Sequence, residues 1–432
     1  MGRIHESSHT TVLPQLSLWE VPSTQESVIA DVEYEVRPLS TFSSSTPLRF
    51  EVRSPQDEYV LFNESHLWLK AKFKLGHPTK EHIVAADWLN VFPVDNIMHS
   101  MFRHVSLSIN NRQVGLSPSL YAYRAYIEQY LGYGKTVKAG HFTSSGWGDD
   151  VAIRRTIITD GIDDRDPSVC VMDFEGQLHL DMAAQEKALL GLTDVLLELL
   201  PNLPRFYIKT TNNFTIEVEF LDTVYYVHRM RVTQAVRDAH SEALKISPAR
   251  YPMTRCEVYH TTIGANKFDE ICDNVVIGTL PRRIFVGLIS TNAFNGLGMD
   301  PYEFKHFDLC FITCYLDGVP HPMKPYTPDF TLNIYTREFR SLYRAMNQTG
   351  TDNTLEIDKW AWKQKPLFGF NFSPDLSNGG SFSSHVSKRQ RGHLRIHFKF
   401  AEKLSEPVVA IIYAEFDSLM EIDANRNIKT DF

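Results

Sequence analysis

Two short stretches of this sequence carry residue types that bind phosphate or metal ions. Gly132-Tyr-Gly134-Lys135-Thr136 ends like a phosphate-binding loop, but that loop requires a glycine five residues before its last glycine, where this chain has Gln129. His393 and His397 lie four residues apart in a predicted strand, so they stand about 13 Å apart, too far to share one metal ion. We therefore predict neither a nucleotide site nor a metal site from these stretches.

Patterns typical of enzymes are also missing from the sequence. It has no nucleophile elbow, zinc-protease helix or dinucleotide fingerprint, and its carboxylates form no recognisable acid–base pair. His99 and His104 lie beside a predicted strand start, with no cysteine or carboxylate at ligand spacing. We predict no catalytic residue, no cofactor and no metal ligand.

The five cysteines are few and odd in number for 432 residues, which favours a reducing compartment over a disulfide framework. Cys310 and Cys314 share one face of a predicted strand, too far apart for a bridge, and are expected to be small core side chains. We expect no signal peptide and no transmembrane segment, because no apolar run reaches the required length.

The densest basic stretch runs from Lys388 through Arg389 and Arg391 to Arg395 and Lys399. Its first interpretation is a solvated loop and strand face; the alternatives are contact with packaged nucleic acid and a basic face at an interface or facing an interior. The whole chain holds 44 Lys and Arg against 52 Asp and Glu, a net charge of −8. A protein that coats nucleic acid through its phosphates would be basic, so this class is not favoured by composition.

The elements that position these residues are mostly strands. Residues 66–74 alternate strictly, with Leu67, Leu69, Ala71 and Phe73 on one face. Further strands are predicted at 48–53, 103–110, 177–182, 204–210, 214–220, 224–232, 254–263, 275–280, 284–289, 307–316, 394–400 and 408–416. Helices are predicted at 121–131, 234–245 and 336–346, a helix-like stretch at 183–200 and a long surface loop at 142–167.

The two halves of the chain repeat the same order of elements. Phe102 and His104 lead into a strand, the Asn110-Asn111 turn and a helix, while Phe304 and His306 lead into a strand, the Asp317-Gly318 turn and a helix. This repetition, with many short strands, predicts an all-β protein of two consecutive sandwiches with short helices in the loops. The predicted organisation is a flexible arm over 1–30, a first sandwich over 31–232, a linking helix over 233–252, a second sandwich over 253–417 and a tail over 418–432.

Several segments together resemble the double jelly-roll major capsid proteins of polinton/maverick elements and adintovirus-like viruses. The similarity begins near residue 33 and is densest after residue 250. It is carried by Val36-Arg-Pro-Leu-Ser-Thr41, Asp57-Glu-Tyr59, Tyr123-Arg-Ala-Tyr-Ile-Glu128, Asp273-Asn274, Leu280-Pro-Arg-Arg-Ile-Phe-Val-Gly-Leu288, Ala293-Phe-Asn-Gly296, Phe304-Lys-His306, Lys324-Pro, Pro328-Asp-Phe330, Phe372-Ser-Pro-Asp-Leu376, Tyr413-Ala-Glu-Phe-Asp417 and Glu421-Ile-Asp423.

The resemblance implies two eight-stranded jelly rolls per chain and a structural, non-enzymatic role without cofactor or required metal. Three chains would form a pseudo-hexagonal homotrimer, and trimers would assemble into an icosahedral shell around double-stranded DNA that the protein encloses without sequence-specific binding. Penton and minor capsid proteins are the expected partners. The expected location is the virion, with synthesis in the host cytoplasm and assembly in either the cytoplasm or the nucleus.

Three alternatives stay open at this point. Jelly rolls also serve as glycan- or receptor-binding modules. A bicupin-like enzyme would need His and carboxylate ligands inside a barrel, and the sequence has no His-x-His with a downstream carboxylate at cupin spacing. Finally, the gene could be a genome-resident copy of a capsid gene with an altered role.

Overall fold

The computed structural model of the chain describes all residues except 1–4, 6, 10, 41–45, 116–119, 149, 299, 351–354, 375–387, 389 and 432. The strands of the first half are β1 (Val28–Val36), β2 (Leu48–Arg53), β3 (Glu58–Gly76), β4 (Val91–Pro93), β5 (Phe102–Ile109), β6 (Arg112–Val114), β7 (Val169–Gly176), β8 (Asp194–Pro201), β9 (Ile208–Thr210) and β10 (Thr215–Val232). Those of the second half are β11 (Ala249–Ile263), β12 (Asp269–Thr279), β13 (Arg283–Ser290), β14 (Leu309–Leu316), β15 (Val319–Tyr326), β16 (Phe368–Asn371), β17 (Arg391–Phe400), β18 (Val408–Ile422) and β19 (Ile428–Thr430).

Each half folds into two antiparallel sheets with the same strand order. The first half has sheets β1-β10-β3-β7 and β2-β8-β5-β6, and the second has β11-β18-β13-β16 and β12-β17-β14-β15. Each half has eight strands in these two sheets once β4, β9 and β19 are left aside. Numbered in chain order within each half, one sheet has the order 1-8-3-6 and the other has the order 2-7-4-5. The short strands β4 and β9 pair with each other, and β19 extends the second half beside β18.

Nine helices lie in the connections of the described chain. They are α1 (Ile97–Ser100), α2 (Tyr121–Gly132), α3 (Lys135–Ala139), α4 (Val151–Thr159), α5 (Pro204–Tyr207), α6 (Gln234–Ile246), α7 (Thr291–Phe294), α8 (Thr336–Ala345) and α9 (Lys359–Gln364). Within the described residues, none of these helices has the length and apolar character needed to cross a membrane.

Side-chain alternation along the strands builds the core of each sandwich. In β3, Leu67, Leu69, Ala71 and Phe73 are fully buried, which confirms the predicted inward face. Aromatic rings join facing sheets, as when the ring of Phe50 in β2 lies 6.1 Å from that of Tyr225 in β10. Such burial is the main stabilising term, at about 25 cal/mol per Å² of apolar surface.

The predicted turns and the predicted helix over 234–245 are confirmed. Asn110 and Asn111 have φ angles of 48° and 61°, as a two-residue hairpin turn requires, and Asp317 and Gly318 have 48° and 86°. Helix α6 occupies the predicted linker. Strand β11 begins at Ala249 and β18 runs to Ile422, so regular structure extends past the limits of 253 and 417 given for the second sandwich. The division into domains otherwise stays a prediction.

Two predictions between 177 and 200 were wrong. Residues 183–200 include no helix; their C-terminal part is β8, which pairs with β2 on one side and β5 on the other. Its leucines favour helix intrinsically, but pairing on both sides and burial of Val195, Leu197 and Leu199 override that propensity. Residues 177–182 form no strand, although Leu178 and Met182 are buried. The strand there is β7, which ends at Gly176.

The predicted surface loop over 142–167 was also wrong in part. It contains α4, whose first turn is capped by Asp150, since the Asp150 carboxylate accepts a hydrogen bond of 3.2 Å from the Ala152 amide. Ile158 on this helix is buried, so the helix packs on the sandwich rather than standing in solvent. The one sequence signal for this helix is its N-cap residue, Asp150. The surrounding stretch is rich in Gly, Ser and Asp, so the helix was not predicted.

Candidate assembly surfaces and the junction between the sandwiches

A buried charged cluster lies where helix α2 meets the second sandwich. Arg124 on α2 places Nη2 2.8 Å from Asp181 Oδ1 and Nε 2.8 Å from Glu128 Oε1. His179 Nδ1 lies 2.7 Å from the second oxygen of Glu128. The side chains of Arg124 and Asp181 are 6% and 1% exposed, so this ion pair is shielded from water. We call Arg124, Glu128, His179 and Asp181 the junction cluster.

The junction cluster binds directly to two strands of the second sandwich. The Cys256 amide on β11 donates a 3.1 Å hydrogen bond to Asp181 Oδ1. The Tyr413 hydroxyl on β18 donates a 3.1 Å hydrogen bond to Glu128 Oε1. Because each carboxylate also binds Arg124, the cluster ties α2 to both strands, and the two sandwiches are held in one fixed arrangement.

Burial and charge act against each other in this cluster. Burial raises the pKa of Glu128, but Arg124 and His179 outweigh it and hold that pKa at about 2. For Asp181 burial prevails over the attraction of Arg124, and its pKa is raised. The Cys256 thiol has a pKa well above its ordinary value, chiefly because it is buried. A raised pKa disfavours the thiolate, so this thiol is not activated as a nucleophile. His179 and Glu128 also border a cavity of about 600 Å³.

A second charged cluster links the start of β13 to β18, the two inner strands of one sheet of the second sandwich. Arg283 forms a two-pronged pair with Glu415, at 2.6 and 2.8 Å. Arg282 bridges Glu415 at 2.6 Å and Asp417 at 2.8 Å. Burial of Glu415 raises its pKa, but the two arginines outweigh burial and the pKa is lowered. These residues come from two separate segments that carry the resemblance, so the shared motifs meet in space.

An aromatic stack also joins the two halves. Tyr126 on α2 lies parallel to Tyr302, with ring centroids 4.2 Å apart. The Tyr302 hydroxyl is 2.5 Å from Ser100 Oγ in the first half, and both residues are buried. Parallel aromatic contacts of this kind add about 0.5–1.5 kcal/mol beyond area burial. Charge and stacking thus act at the same junction.

The repeated residues Phe102, His104, Phe304 and His306 are not brought together. Phe102 begins β5 and packs against Phe220 at 6.0 Å, whereas Phe304 is buried beside Gly287 before β14. His306 stacks on Phe330 at 4.2 Å, and His104 is half-buried. Phe102 and His104 lie at the start of β5, and Phe304 and His306 lie just before β14. β5 and β14 are the fourth strands of the two sandwiches, so the repeated residues occupy equivalent positions.

The basic stretch lies largely on β17. Its predicted alternation is confirmed, because Leu394, Ile396 and Phe398 are buried while the basic side chains face outward. Arg395 pairs with Asp273, and Lys399 Nζ lies 2.9 Å from Asp269 Oδ2, so β12 neutralises two of the positive charges. Lys388 and Arg391 are exposed, and Arg389 lies outside the described residues. That this face contacts a neighbouring chain or faces the capsid interior stays a prediction.

Large apolar side chains are exposed in two places. In the N-terminal segment Leu18, Trp19 and Val21 are 74%, 87% and 86% exposed. Between β15 and β16, Leu332, Ile334 and Trp360 are 67%, 62% and 64% exposed. We call these three residues the β15–β16 patch. Exposed apolar side chains that form a contiguous patch are typical of protein–protein contact sites, so these two segments are candidates for such contacts.

Comparison with solved structures decides the fold. A chain of the Sputnik virophage solved by cryo-EM superposes with a TM-score of 0.61 over 100% of this chain and 94% of that chain, at 11% identity. The Faustovirus major capsid protein gives a TM-score of 0.60 over 95% and 92%, at 9% identity. The mavirus major capsid protein gives 0.52 over 98% and 96%, at 9% identity. The chain has the double jelly-roll fold.

This result confirms the predicted fold class of two eight-stranded jelly rolls in one chain. By sequence, an uncharacterised protein of Caenorhabditis elegans is 27% identical over 397 residues, covering 88% of this chain and 93% of that protein. No protein-family model matches the chain. The junction cluster was not predicted, because its members come from two separate segments of the first half, 124–128 and 179–181. The available signal was the motif Tyr123-Arg-Ala-Tyr-Ile-Glu128, which contains two of them.

Proposed function

We propose that this protein is the major capsid protein of a double-stranded DNA virus or virus-like element of the polinton/maverick and adintovirus-like kind. The observation that supports this proposal best is the repeated topology: each half has one sheet of order 1-8-3-6 and one of order 2-7-4-5. Between 95% and 100% of the chain superposes on the Sputnik virophage chain and the Faustovirus major capsid protein. The proposed role is structural and non-enzymatic: homotrimers form first and then assemble into an icosahedral shell.

The duplicated fold gives a physical reason for a trimer. Three chains contribute six similar sandwiches, so a threefold ring has a nearly sixfold outline and can tile a surface. Such a tile works only if the two sandwiches of one chain keep a constant angle. The junction cluster and the Tyr126–Tyr302 stack supply that rigidity, because both connect the halves through buried groups.

The charge of the chain fits enclosure of DNA without tight binding. The net charge is −8, and Asp269 and Asp273 neutralise part of the densest basic face. A protein that neutralised many phosphates would need the opposite balance. Penton and minor capsid proteins are the proposed partners, and the virion capsid is the proposed location.

The nematode relative favours a specific second candidate. A protein 27% identical along 88% of this chain is assigned to an animal, Caenorhabditis elegans. This supports an element that resides in a host genome. In that case the protein either still assembles or is a genome-resident copy that has kept the fold and lost assembly.

Mass measurement and electron microscopy of the purified protein test the proposal. We expect particles of about 150 kDa, three chains of 49.6 kDa, with a pseudo-hexagonal outline in negative stain. Protein that stays strictly monomeric at every salt concentration and pH would contradict the capsid function. Correct folding without trimers, shown by a cooperative unfolding transition, would favour the genome-resident copy. Binding to a glycan array by the monomer would favour a binding module instead.

The role of the basic stretch has its own test. Reversing the charge of Arg389 and Arg391 to Glu should reduce assembly or DNA content if this face contacts a neighbour or the interior. Reversing Lys70 and Lys74, exposed on β3 of the first sandwich, makes the same change in net charge and serves as the control. Equal effects of both double variants, or unchanged particles and DNA content, would refute a specific role for the stretch.

A further inference from the structure

The outer face of the sheet β1-β10-β3-β7 carries a group of metal-ligand side chains. Glu33 on β1, His66 on β3 and His228 on β10 each offer one ligand atom, and these atoms all lie within 4.8 Å of one another. Both imidazoles are half-buried, while Glu33 is exposed. Within the described residues this is the one group of three or more such side chains at that spacing.

Strand pairing explains why these residues meet. Glu33 lies directly opposite His228 in the β1–β10 pair, and Tyr226 lies opposite His66 in the β10–β3 pair. Residues two apart on one strand share a face, so His228 stands next to Tyr226 and diagonally across from His66. Positions 33, 66 and 228 form no short motif, which is why the sequence predicted no metal ligand.

The contacts of His228 resemble those of a metal-bound imidazole. Its Nε2 lies 2.9 Å from Glu33 Oε2, and its Nδ1 lies 3.4 Å from Asp31 Oδ2. Histidines that bind metal through one nitrogen usually donate the other N–H to a carboxylate, which fixes the ring and raises its basicity. Asp31 is placed to act on His228 in this way.

His66 is held by comparable contacts. Its ring stacks on Tyr226 with centroids 5.1 Å apart, and its Nε2 lies 3.3 Å from Glu175 Oε1 on β7. The ring centroids of His66 and His228 are 6.3 Å apart. In a tetrahedral zinc site the ligand atoms are about 3.3 Å from each other, so small side-chain rotations bring the group into ligand geometry.

We propose that Glu33, His66 and His228 bind a divalent transition-metal ion of the zinc class, with Asp31 orienting His228 and Glu175 beside His66. Two imidazoles with carboxylates are typical zinc ligands, whereas Mg²⁺ and Ca²⁺ prefer sites built from oxygen alone. Such a site on this sheet face would be independent of the proposed capsid function.

The ion would join the edge strand β1 to the sheet. No residue of β1 is fully buried, and β1 pairs with β10 on one side only. A metal ion bound by residues of β1, β10 and β3 would link the three strands. β1 has no fully buried side chain, so apolar packing holds it only weakly to the sheet. The strand that follows the N-terminal segment would therefore open less often when metal is bound.

Metal titration of the full chain tests the site. Protein freed of metal by a chelator and then dialysed is titrated with Zn²⁺ by calorimetry and with Co²⁺ by visible absorbance. We expect one ion per wild-type chain and loss of that binding in the double variant His66→Gln/His228→Gln. Asp31→Asn should weaken binding about 10- to 100-fold, as is common when a residue that orients a metal-binding histidine is changed.

Exposed histidines elsewhere provide the matched control. His82→Gln/His393→Gln removes two imidazoles from other surfaces and should bind Zn²⁺ as the wild type does. Absence of wild-type binding, or equal binding by the His66/His228 double variant with unchanged circular dichroism, would overturn the site. Hydrogen exchange over residues 28–36 should slow when Zn²⁺ is added. Unchanged exchange there, despite binding, would overturn the stabilisation of β1.

Discussion

Replacing Arg124 with methionine tests whether the junction cluster holds the two sandwiches together. Methionine fills much of the same space but leaves the Asp181 carboxylate without its cation and leaves Glu128 with His179 as its remaining ionisable partner. Asp181 is only 1% exposed and lies 2.8 Å from Arg124, so its charge would remain buried and unpaired. Removing one partner of such a buried pair costs about 3–5 kcal/mol of the free energy of unfolding.

The cost should depend on pH in a defined direction. In the wild type the pKa of Glu128 is lowered to about 2, so its pairing stabilises the fold fully above its unfolded-state pKa near 4.5 and this stabilisation is lost as pH falls toward 2. In Arg124→Met the carboxylates can take up protons at mild acidity, which removes the buried charge. The difference between wild type and variant should therefore be at least about 1 kcal/mol smaller at pH 4 than at pH 7.5.

Urea unfolding followed by tryptophan fluorescence at both pH values measures this difference. Trp147 is a suitable reporter, because its ring stacks on Tyr126 at 5.5 Å beside the junction. The control is Arg49→Met, which breaks the surface pair of Arg49 with Glu198, where the arginine side chain is 55% exposed. That pair should contribute less than about 1 kcal/mol.

Two results would refute the reasoning. One is a loss in Arg124→Met no larger than that in Arg49→Met, which would mean that the cluster contributes no more than a surface pair. The other is an equal loss at pH 4 and pH 7.5, which would mean that the effect comes from lost packing and not from unpaired charge.

Three other outcomes are expected. Burial raises the pKa of Asp95 to about 6. Folding therefore takes up a proton between about pH 4 and 6, and the free energy of unfolding falls as pH rises through that window. In urea titrations, Asp95→Asn should stabilise the chain by up to about 3 kcal/mol at pH 8 and by little at pH 4. Phe304→Ala should lower the free energy of unfolding by about 3–5 kcal/mol, since the ring is buried against Gly287, whereas His306→Ala should cost clearly less in the same assay. Four of the five cysteines are buried and Cys310 is intermediate, so a thiol reagent should modify about one thiol quickly in the native chain and all five after unfolding.

Local patterns predicted much of the fold because they act over a few residues. The strict alternation in residues 66–74 and 394–400 gave the inward faces of β3 and β17, and the Asn110-Asn111 and Asp317-Gly318 turns gave both hairpins. The helix over 234–245 is α6. In each case the deciding interaction, a turn conformation or a single buried face, is encoded by adjacent residues.

The failures occurred where distant residues decide the conformation. Leu196 and its neighbours form β8 because β2 and β5 pair on its two sides, and no pattern within the segment reports those partners. Likewise the alternating apolar residues of 177–182 are buried without pairing, while Asp181 turns inward to meet Arg124. The ligand group of Glu33, His66 and His228 depends on register between strands, which a single sequence does not reveal.

The strands of the two sandwiches repeat closely, but the connections after their hairpins differ in a way that bears on assembly. In the first sandwich this connection contains α2, which reaches across to β11 of the second. In the second sandwich it contains α8, which packs on β16 and β13 of its own sheet. The same connection carries the β15–β16 patch, with Leu332, Ile334 and Trp360 exposed.

In the proposed trimer, each second sandwich must meet the first sandwich of the next chain in a position related to the junction within the chain. The junction within the chain uses buried charges, and Arg124 pairs with both Asp181 and Glu128, which offsets the desolvation of the two carboxylates. A contact between chains has to form from two solvated surfaces, so apolar burial is the more effective driving force and desolvated ion pairs are costly. The β15–β16 patch has the composition that this contact requires, and it lies in the connection equivalent to the one used by α2. If the proposed trimer forms, its ring would alternate a charged junction within each chain with an apolar contact between chains.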